Sequence, residues 1–357
     1  MALAVEGTKI TDDFIIKKTK IRGAESNGML CSEKELGISE DHSGIIILPP
    51  DTKPGTTLDS IYPELVDVRL EIDNKSITHR PDLWGHEGFA RELGALFSRP
   101  VKSPVNKDLA GTFKNIENLE VEILNPEVAP RYSALAVKGI EIKESPDWLK
   151  AMVKSIGMRP INNIVDITNY VMAELGEPMH AFDKKKLRGN KIFIRTAKEG
   201  ETITTLDNRE HKLTGEDIVI ADVQGPIALA GIMGGGNSEI DDNTTEIVLE
   251  AACFNPVNIR KSAHRFGVRT EASMRFEKSL SPEITTDALI RCYELIKEAI
   301  PGADAVTEII DDYPGKIKPV TIEISADHIR KKLGQNIDDK RITDIIESLS
   351  FNITKKG

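Results

Sequence analysis

Between residues 117 and 254 the strand-like runs LEVEIL, YSALAVKGIEI, FIRTA, ITTL, IVIAD and EIVLEAACF are interrupted by only two helical runs, SPDWLKAMVKSIG and INNIVDITNYVMAEL. A doubly wound parallel sheet needs a helix after almost every strand, so this order disfavours it and predicts an α+β domain on a mixed sheet. At 357 residues the chain has room for two or three domains, each with its own core. The fold class expected is therefore α+β, multidomain.

Composition shifts divide the chain into four parts: 1–50, 51–108, 109–315 and 316–357. The first reads as a small β module, with short runs such as FIIKKTKI and GIIILPP broken by Gly, Asn and Pro, and it opens so abruptly that it looks entered partway. The second carries SITHRPDLWGHEGFARELGALF, in which Pro81 is expected to start a helix and Leu83, Phe89, Ala90, Leu93 and Leu96 form its apolar stripe. A linker, RPVKSPVNKDLAG, leads to the long α+β region. The last part holds ADHIRKKLG and DKRITDIIESLS, with Ile329, Leu333, Ile342, Ile345, Ile346 and Leu349 on their apolar sides, and stops at Gly357 as abruptly as the chain began. No repeat of 20 to 50 residues is found.

The formal charge of −10 argues against a protein that coats nucleic acid through a broad basic surface. Two local basic runs remain, Lys17 to Arg22 and Arg260 to Lys278, each readable as a solvated face or as a contact surface. Cys31, Cys253 and Cys292 are far apart and lack ligand spacing, so neither a disulfide framework nor a metal site is expected. No apolar run reaches the roughly 20 residues of a membrane span, and no secretory signal opens the chain; a cytoplasmic protein without membrane contact is expected.

Three constellations could carry chemistry. The first is RPINNIVDITNYVMAELGEPMHAF, where Pro160 suits a first helical turn, Gly176 and Pro178 end the helix, and Ile161 to Leu175 is helical. Its polar face offers amides, among them Asn162, Asn163 and Asn169, together with Asp166 and Thr168, and is followed by His180, either a core histidine or a catalyst. The second is PIALAGIMGGG, whose glycines allow a backbone to approach a ligand and present free N–H groups, or serve only a tight turn. The third is EIVLEAACFNP: Glu250 lies among apolar neighbours and either faces inward, needing a partner, or alternates out to water. After it, Asn255 and Pro256 read as the cap and first residue of a basic helix, and RTEAS, Arg269 to Ser273, as a loop shaped to touch something.

Taken in order, RPINNIVDITNYVMAELGEPMHAFD, ALAGIMGG, LEAACFNPVNIRKSAHRFGVRTEAS and RFEKS resemble the editing domain of the bacterial phenylalanyl-tRNA synthetase β-subunit family. ESNGMLCSEKELGIS resembles the end of that family's OB-fold tRNA-binding module, SITHRPDLWGHEGFARELGALF its helical connector, and the final segment the start of a winged-helix-like domain. The resemblance implies a fragment in which a mixed-sheet editing domain is flanked by a partial OB-like module and small helical modules.

It further implies hydrolysis of tRNA(Phe) mischarged with tyrosine, while the whole enzyme attaches phenylalanine to tRNA(Phe). Such editing answers a physical need, because an apolar pocket rejects an added hydroxyl by only about 100-fold. By the same resemblance Glu250 and Gly234, with Gly231 in the same loop, recognise the tyrosine phenol. His180, Thr168 and Asn169 belong to the pocket, His180 orienting water or substrate, and Thr270 and Ala272 line its opposite wall. Arg260, Lys261, Arg265 and Arg269 would meet the tRNA acceptor end. A member of that family has an arginine where this chain has Asn163. No cofactor or metal is expected for editing, ATP and Mg2+ serve the intact synthetase, and the implied partners are tRNA(Phe) and the α subunit of an α2β2 assembly. The competing expectation is a scaffold that binds tRNA or the α subunit without catalysis.

Overall fold

The computed structural model describes residues 1–11, 13–38, 41–63 and 66–355; Ser39 and Gly357, which close two of the stretches read above, lie outside them. The chain divides into two compact units, Met1–Glu71 and Ile72–Gly357.

In the first unit six short strands pair in twos, all antiparallel: β1 (Leu3–Val5) with β6 (Gly28–Leu30), β2 (Lys9–Thr11) with β3 (Phe14–Ile15), and β4 (Thr19–Ile21) with β5 (Ala24–Ser26). Among the described residues these pairs do not close into a barrel. Ala4, Ile16 and Cys31 form a small core, joined by Ile10, Met29 and Leu36. GIIILPP, read as a strand, forms none: Ile46 alone is buried, its amide bonded to the Cys31 carbonyl, while Ile45 and Ile47 are exposed. One helical turn, α1 (Leu58–Ile61), follows.

In the second unit the α-helix expected at Pro81 starts five residues later. Pro81 starts a 3-10 turn, Pro81–Trp84, and the α-helix α2 (His86–Phe97) starts after Gly85. The buried face of α2 is Gly88, Gly94 and Ala95, while Leu93 and Leu96 point to solvent. Close backbone approach selects the small residues here: a Cβ on Gly88 would lie 1.9 Å from the Asp82 carbonyl oxygen, and one on Gly85 would lie 2.4 Å from the Gly176 nitrogen.

The main body has three layers. The outer sheet runs β15 (Met233–Gly234), β14 (Pro226–Leu229), β13 (Ile218–Ala221), β10 (Lys191–Thr196), β7 (Glu120–Ile123), with β10 and β7 parallel and the rest antiparallel. A middle sheet runs β17 (Asp304–Ala305), β8 (Arg131–Lys138), β16 (Glu246–Cys253), β9 (Met179–Asp183), and β18 (Ile310–Asp312) also pairs with β8. A small hairpin joins β11 (Thr202–Thr204) to β12 (Glu210–Lys212). The third layer is helical: α3 (Asp147–Ser155), α4 (Asn163–Leu175) and α7 (Thr285–Ala299). Helices α5 (Pro256–Phe266) and α6 (Glu271–Phe276) follow β16, and α8 (Ala326–Leu333) and α9 (Asp339–Ser348) are the last helices, with Arg341 of α9 donating to the Leu96 carbonyl in the last turn of α2 and to Ser98 just past it.

The middle sheet is covered on both faces. Even-numbered residues of β16, Val248 and Ala252, pack with Ala134 and Phe182 against Ile192, Ile194, Ile220 and Ile227 of the outer sheet. Odd-numbered ones, Ile247, Leu249 and Ala251, pack with Leu135 and Val137 against Ile164, Ile167 and Val171 of α4 and Leu289 and Ile296 of α7. Burial of both faces explains why EIVLEAAC reads as a nearly continuous apolar run without alternation.

Candidate functional site

The opening amides of α4 hold the helix in place. It starts two residues later than Ile161, because Asn162 is the N-cap: its Oδ1 accepts from the amides of Ile164 and Val165. Asn163 is buried, its Oδ1 accepting from the Lys143 amide and its Nδ2 donating to the Glu141 carbonyl. Asp166 is sealed from solvent and accepts from the Ser145 hydroxyl and the Ile161 amide. Of the amides on this helix, only that of the half-buried Asn169 makes no hydrogen bond among the described residues. Thr168 donates back to its own helix, to the Val165 carbonyl.

At the C-terminus of α4, Gly176 takes the left-handed conformation (φ +84) and turns the chain into β9, where strand register sets His180 directly opposite Glu250 of β16. Both side chains share the face with Val248 and Phe182, so Glu250 looks into the space between the two sheets, 6% exposed. Alternation out to water is excluded. The Tyr132 hydroxyl of β8 donates to Glu250 Oε2 at 3.1 Å. Burial pushes the Glu250 carboxyl up to about 8, a rise that the Tyr132 bond partly offsets.

The glycine loop closes the site from the outer sheet. A Cβ on Gly234 would lie 2.7 Å from Cε1 and 2.8 Å from Nε2 of His180, so only a glycine lets β15 lie against the imidazole edge. His180 is half-buried, with Nε2 sealed and without a partner among the described residues and its ring edge-on to Phe182 at 4.6 Å; burial lowers it to about 4. Gly231, at φ +65, packs on Phe254, Ile259 and Phe276. The loop's N–H groups are less free than the sequence suggests: Gly235 donates to Ile227 and Gly236 to Thr204. RTEAS is no loop. Thr270 caps α6, accepting from the Ser273 amide, and its hydroxyl donates to the Ile232 carbonyl at 3.0 Å, tying the glycine turn to α6, where Ala272 packs on the same core.

The structure thus brings together Glu250, His180 and Gly234, with Gly231, Thr270 and Ala272 behind the glycine turn. Thr168 and Asn169 ride on α4, which packs the opposite face of the middle sheet beside β9, and neither is hydrogen-bonded to Glu250 or His180. Two residues of the site carry no local signal in the sequence. One is Tyr132. The other is Glu177, fully buried in the α4–β9 turn with no carboxyl hydrogen bond of good geometry among the described residues; burial first, and then the charge of Glu250, push it well above the usual carboxylate range, a rise that the backbone N–H of Ala252 and the charge of Arg131 partly offset. The basic residues are largely neutralised: Lys261 pairs with Glu216 at 3.0 Å, Arg265 with the buried Asp217, and Arg269 lies 3.8 Å from Glu277. Arg260 is exposed and unpaired among the described residues, at the rim of a groove of about 310 Å³ lined also by Ser262 and His264, which does not include Glu250 or His180.

These ionisations make stability depend on pH with a definite sign. Between pH 6.5 and about 8 the unfolded chain has released the Glu250 proton that the folded chain retains, so the folded state binds more protons and loses stability as pH rises. His180 acts oppositely and only below its ordinary value of 6.5, where the unfolded chain takes up a proton the buried ring refuses. Glu250→Gln should flatten the alkaline fall by about 1 to 2 kcal/mol, since a tenfold change in proton affinity is worth about 1.4 kcal/mol. The check is urea unfolding at pH 6.5 and pH 8; Glu177, raised mainly by burial and in part by the charge of Glu250, adds to the slope of both proteins. An equal slope in the variant would place the titrating group elsewhere.

Residues 128–301, the span from the start of the middle sheet to the end of α7, match the B3/4 domain family. The phenylalanine–tRNA ligase β subunit of Solibacter usitatus is 43% identical over 340 residues, 95% of this chain and 43% of that protein. That of Desulfotalea psychrophila is 43% identical over 361 residues, covering 99% and 43%, and that of Carboxydothermus hydrogenoformans 41% over 358 residues, covering 98% and 44%. The motif resemblance therefore extends along nearly the whole chain, and the chain spans less than half the length of these relatives. A solved N-terminal fragment of the phenylalanyl-tRNA synthetase β subunit from Pyrococcus horikoshii aligns with 78% of this chain and 75% of its own at 17% identity and a TM-score of 0.36, too distant a likeness to build on. No helix among the described residues is long and apolar enough to cross a membrane.

Proposed function

We propose that this chain is the editing part of a phenylalanine–tRNA ligase β subunit and hydrolyses the ester of tyrosine mischarged onto tRNA(Phe). The observation that carries the reading is Glu250: a carboxyl 6% exposed between two sheets, with one oxygen held by Tyr132 and the other without a hydrogen bond among the described residues. Such a group favours a ligand with a hydroxyl and disfavours one without, because phenylalanine would leave the buried acceptor unmade. In the reaction, water adds to the aminoacyl carbonyl, the ribose oxygen departs with a proton, and free tyrosine and uncharged tRNA result. Donors around the carbonyl and fixed placement of the water supply the acceleration.

His180 places the substrate or the water in this reading. Lowered to about 4, it is neutral throughout the neutral range, with Nε2 given no partner by the described residues. His180→Ala should slow hydrolysis of tyrosyl-tRNA(Phe) about 10-fold, short of the roughly 100- to 10,000-fold of a lost general base, and leave the shape of the pH profile between 6 and 8 as it is in the unaltered chain. The test is deacylation of tyrosyl- and phenylalanyl-tRNA(Phe) by the chain itself: selective loss of tyrosine supports the reading, and no hydrolysis of either ester by folded protein sinks it. The whole ligase, with its α subunit, ATP and Mg2+, would make the correct ester. Arg260 is the basic residue we assign to the tRNA, since Lys261 and Arg265 are spent on Glu216 and Asp217.

A further inference from the structure

Glu250 is not alone in its cleft. Tyr132 is fully buried, and its hydroxyl donates to Glu250 Oε2 at 3.1 Å. Strand register places Tyr132 opposite Ala252 and Glu250 opposite Ala134, so the two side chains are diagonal neighbours on one face of the middle sheet. The protein thus carries in its own core the contact that a tyrosyl ligand would make: a phenol donating to this carboxyl. We propose that Tyr132 is a positioning and specificity-determining residue, whose phenol holds one oxygen of Glu250 and fixes the carboxyl plane so that Oε1 is presented to the phenol of a tyrosyl ester. The proposal rests on the reading of Glu250 given above.

Two effects follow from the geometry. Without the Tyr132 donor the terminal torsion of Glu250 is broad and two-fold, and Oε1 has no fixed direction. The same donor favours the ionised carboxyl, which accepts a ligand phenol more strongly than the neutral acid does. The titratable groups beside Glu250 are Tyr132 of β8, His180 directly opposite on β9, and Glu177 of the preceding turn, whose charge opposes that of Glu250; the loop from Gly231 to Gly236 contributes none. Preference for tyrosine over phenylalanine should therefore rise with pH as Glu250 ionises, and the midpoint of that rise depends on Tyr132.

Tyr132→Phe removes one oxygen and keeps the ring. It should lower the tyrosyl-over-phenylalanyl preference about 3- to 10-fold, leave phenylalanyl-tRNA(Phe) hydrolysis within about twofold, and move the midpoint of the pH profile of preference upward. In a Glu250→Ala background the same change should do nothing more to the preference, because the contact through which the two residues act is already gone. Replacing Tyr132 by 3-fluorotyrosine, a more acidic phenol, should move the midpoint downward and serves if Tyr132→Phe does not fold. Equal slowing of both esters, or an unchanged preference and midpoint, overturns the positioning role while the Glu250 reading stands. Absence of any tyrosine preference in the unaltered chain overturns both.

Discussion

Glu250→Ala is expected to lower the tyrosyl-over-phenylalanyl preference by about 5- to 150-fold, the equivalent of about 1 to 3 kcal/mol for a buried acceptor whose partner is lost. The size of the effect comes from position. Glu250 belongs to a strand covered on both faces, retains 6% exposure, and has one oxygen committed to Tyr132. Phenylalanine in the same cleft gains nothing from the carboxyl and prevents water from reaching it. Alanine removes that penalty, so the phenylalanyl ester should be hydrolysed faster as the tyrosyl ester slows. Glu250→Gln separates shape from charge: it can still accept from Tyr132, and should keep part of the preference. Deacylation time courses on both esters at one enzyme concentration decide the matter, and an unaltered ratio in Glu250→Ala would remove Glu250 from the site.

Gly231→Val should destabilise the second unit by about 2 to 5 kcal/mol and abolish hydrolysis of both esters. Two costs add. A non-glycine residue at φ +65 pays about 1 to 2 kcal/mol, more when β-branched, and forcing methyl groups into a packed core costs about 1 to 3 kcal/mol. Here the Cβ alone would lie 2.8 Å from Phe276, 3.0 Å from Ile259 and 3.1 Å from Phe254, and the Phe254 and Phe276 rings already pack edge-on at 5.1 Å. Gly236→Ala is the matched control, because its nearest new neighbour would be 3.9 Å away and nothing need move. Urea unfolding of both variants gives the answer; similar midpoints would mean that the turn relaxes without cost.

Much of the site can be read from residue types at short range. Pro256 after Asn255 marks the start of α5, and Asn255 does accept from the amides of Val257 and Asn258. A lone carboxylate in an unbroken apolar run marks Glu250, since only a strand buried on both faces makes such a run. What escapes is long-range or a matter of backbone distance. Tyr132 meets Glu250 across 118 residues, and no local period reports that contact. The partners of Lys261 and Arg265 lie 45 and 48 residues upstream, so a basic helix looks more available than it is. The amides of α4 look ligand-facing because Pro160 suggests an earlier start; once the helix begins at Asn163, Asn162 and Asp166 are spent on its first turn. In α2 periodicity picks the large residues, whereas close approach picks the small ones, Gly88 against the Asp82 carbonyl and Gly94 against Val101.

Because His180 faces Glu250 by strand register, and no side-chain bond joins the two, the count of residues between Gly176 and β9 acts as a ruler. Lengthening or shortening that turn by one would bring Met179 or Ala181 opposite Glu250 and turn the histidine toward the helical layer. Homologous chains with this site are thus free to vary many residues around the pair by substitution, and are held to the same spacing against insertion and deletion.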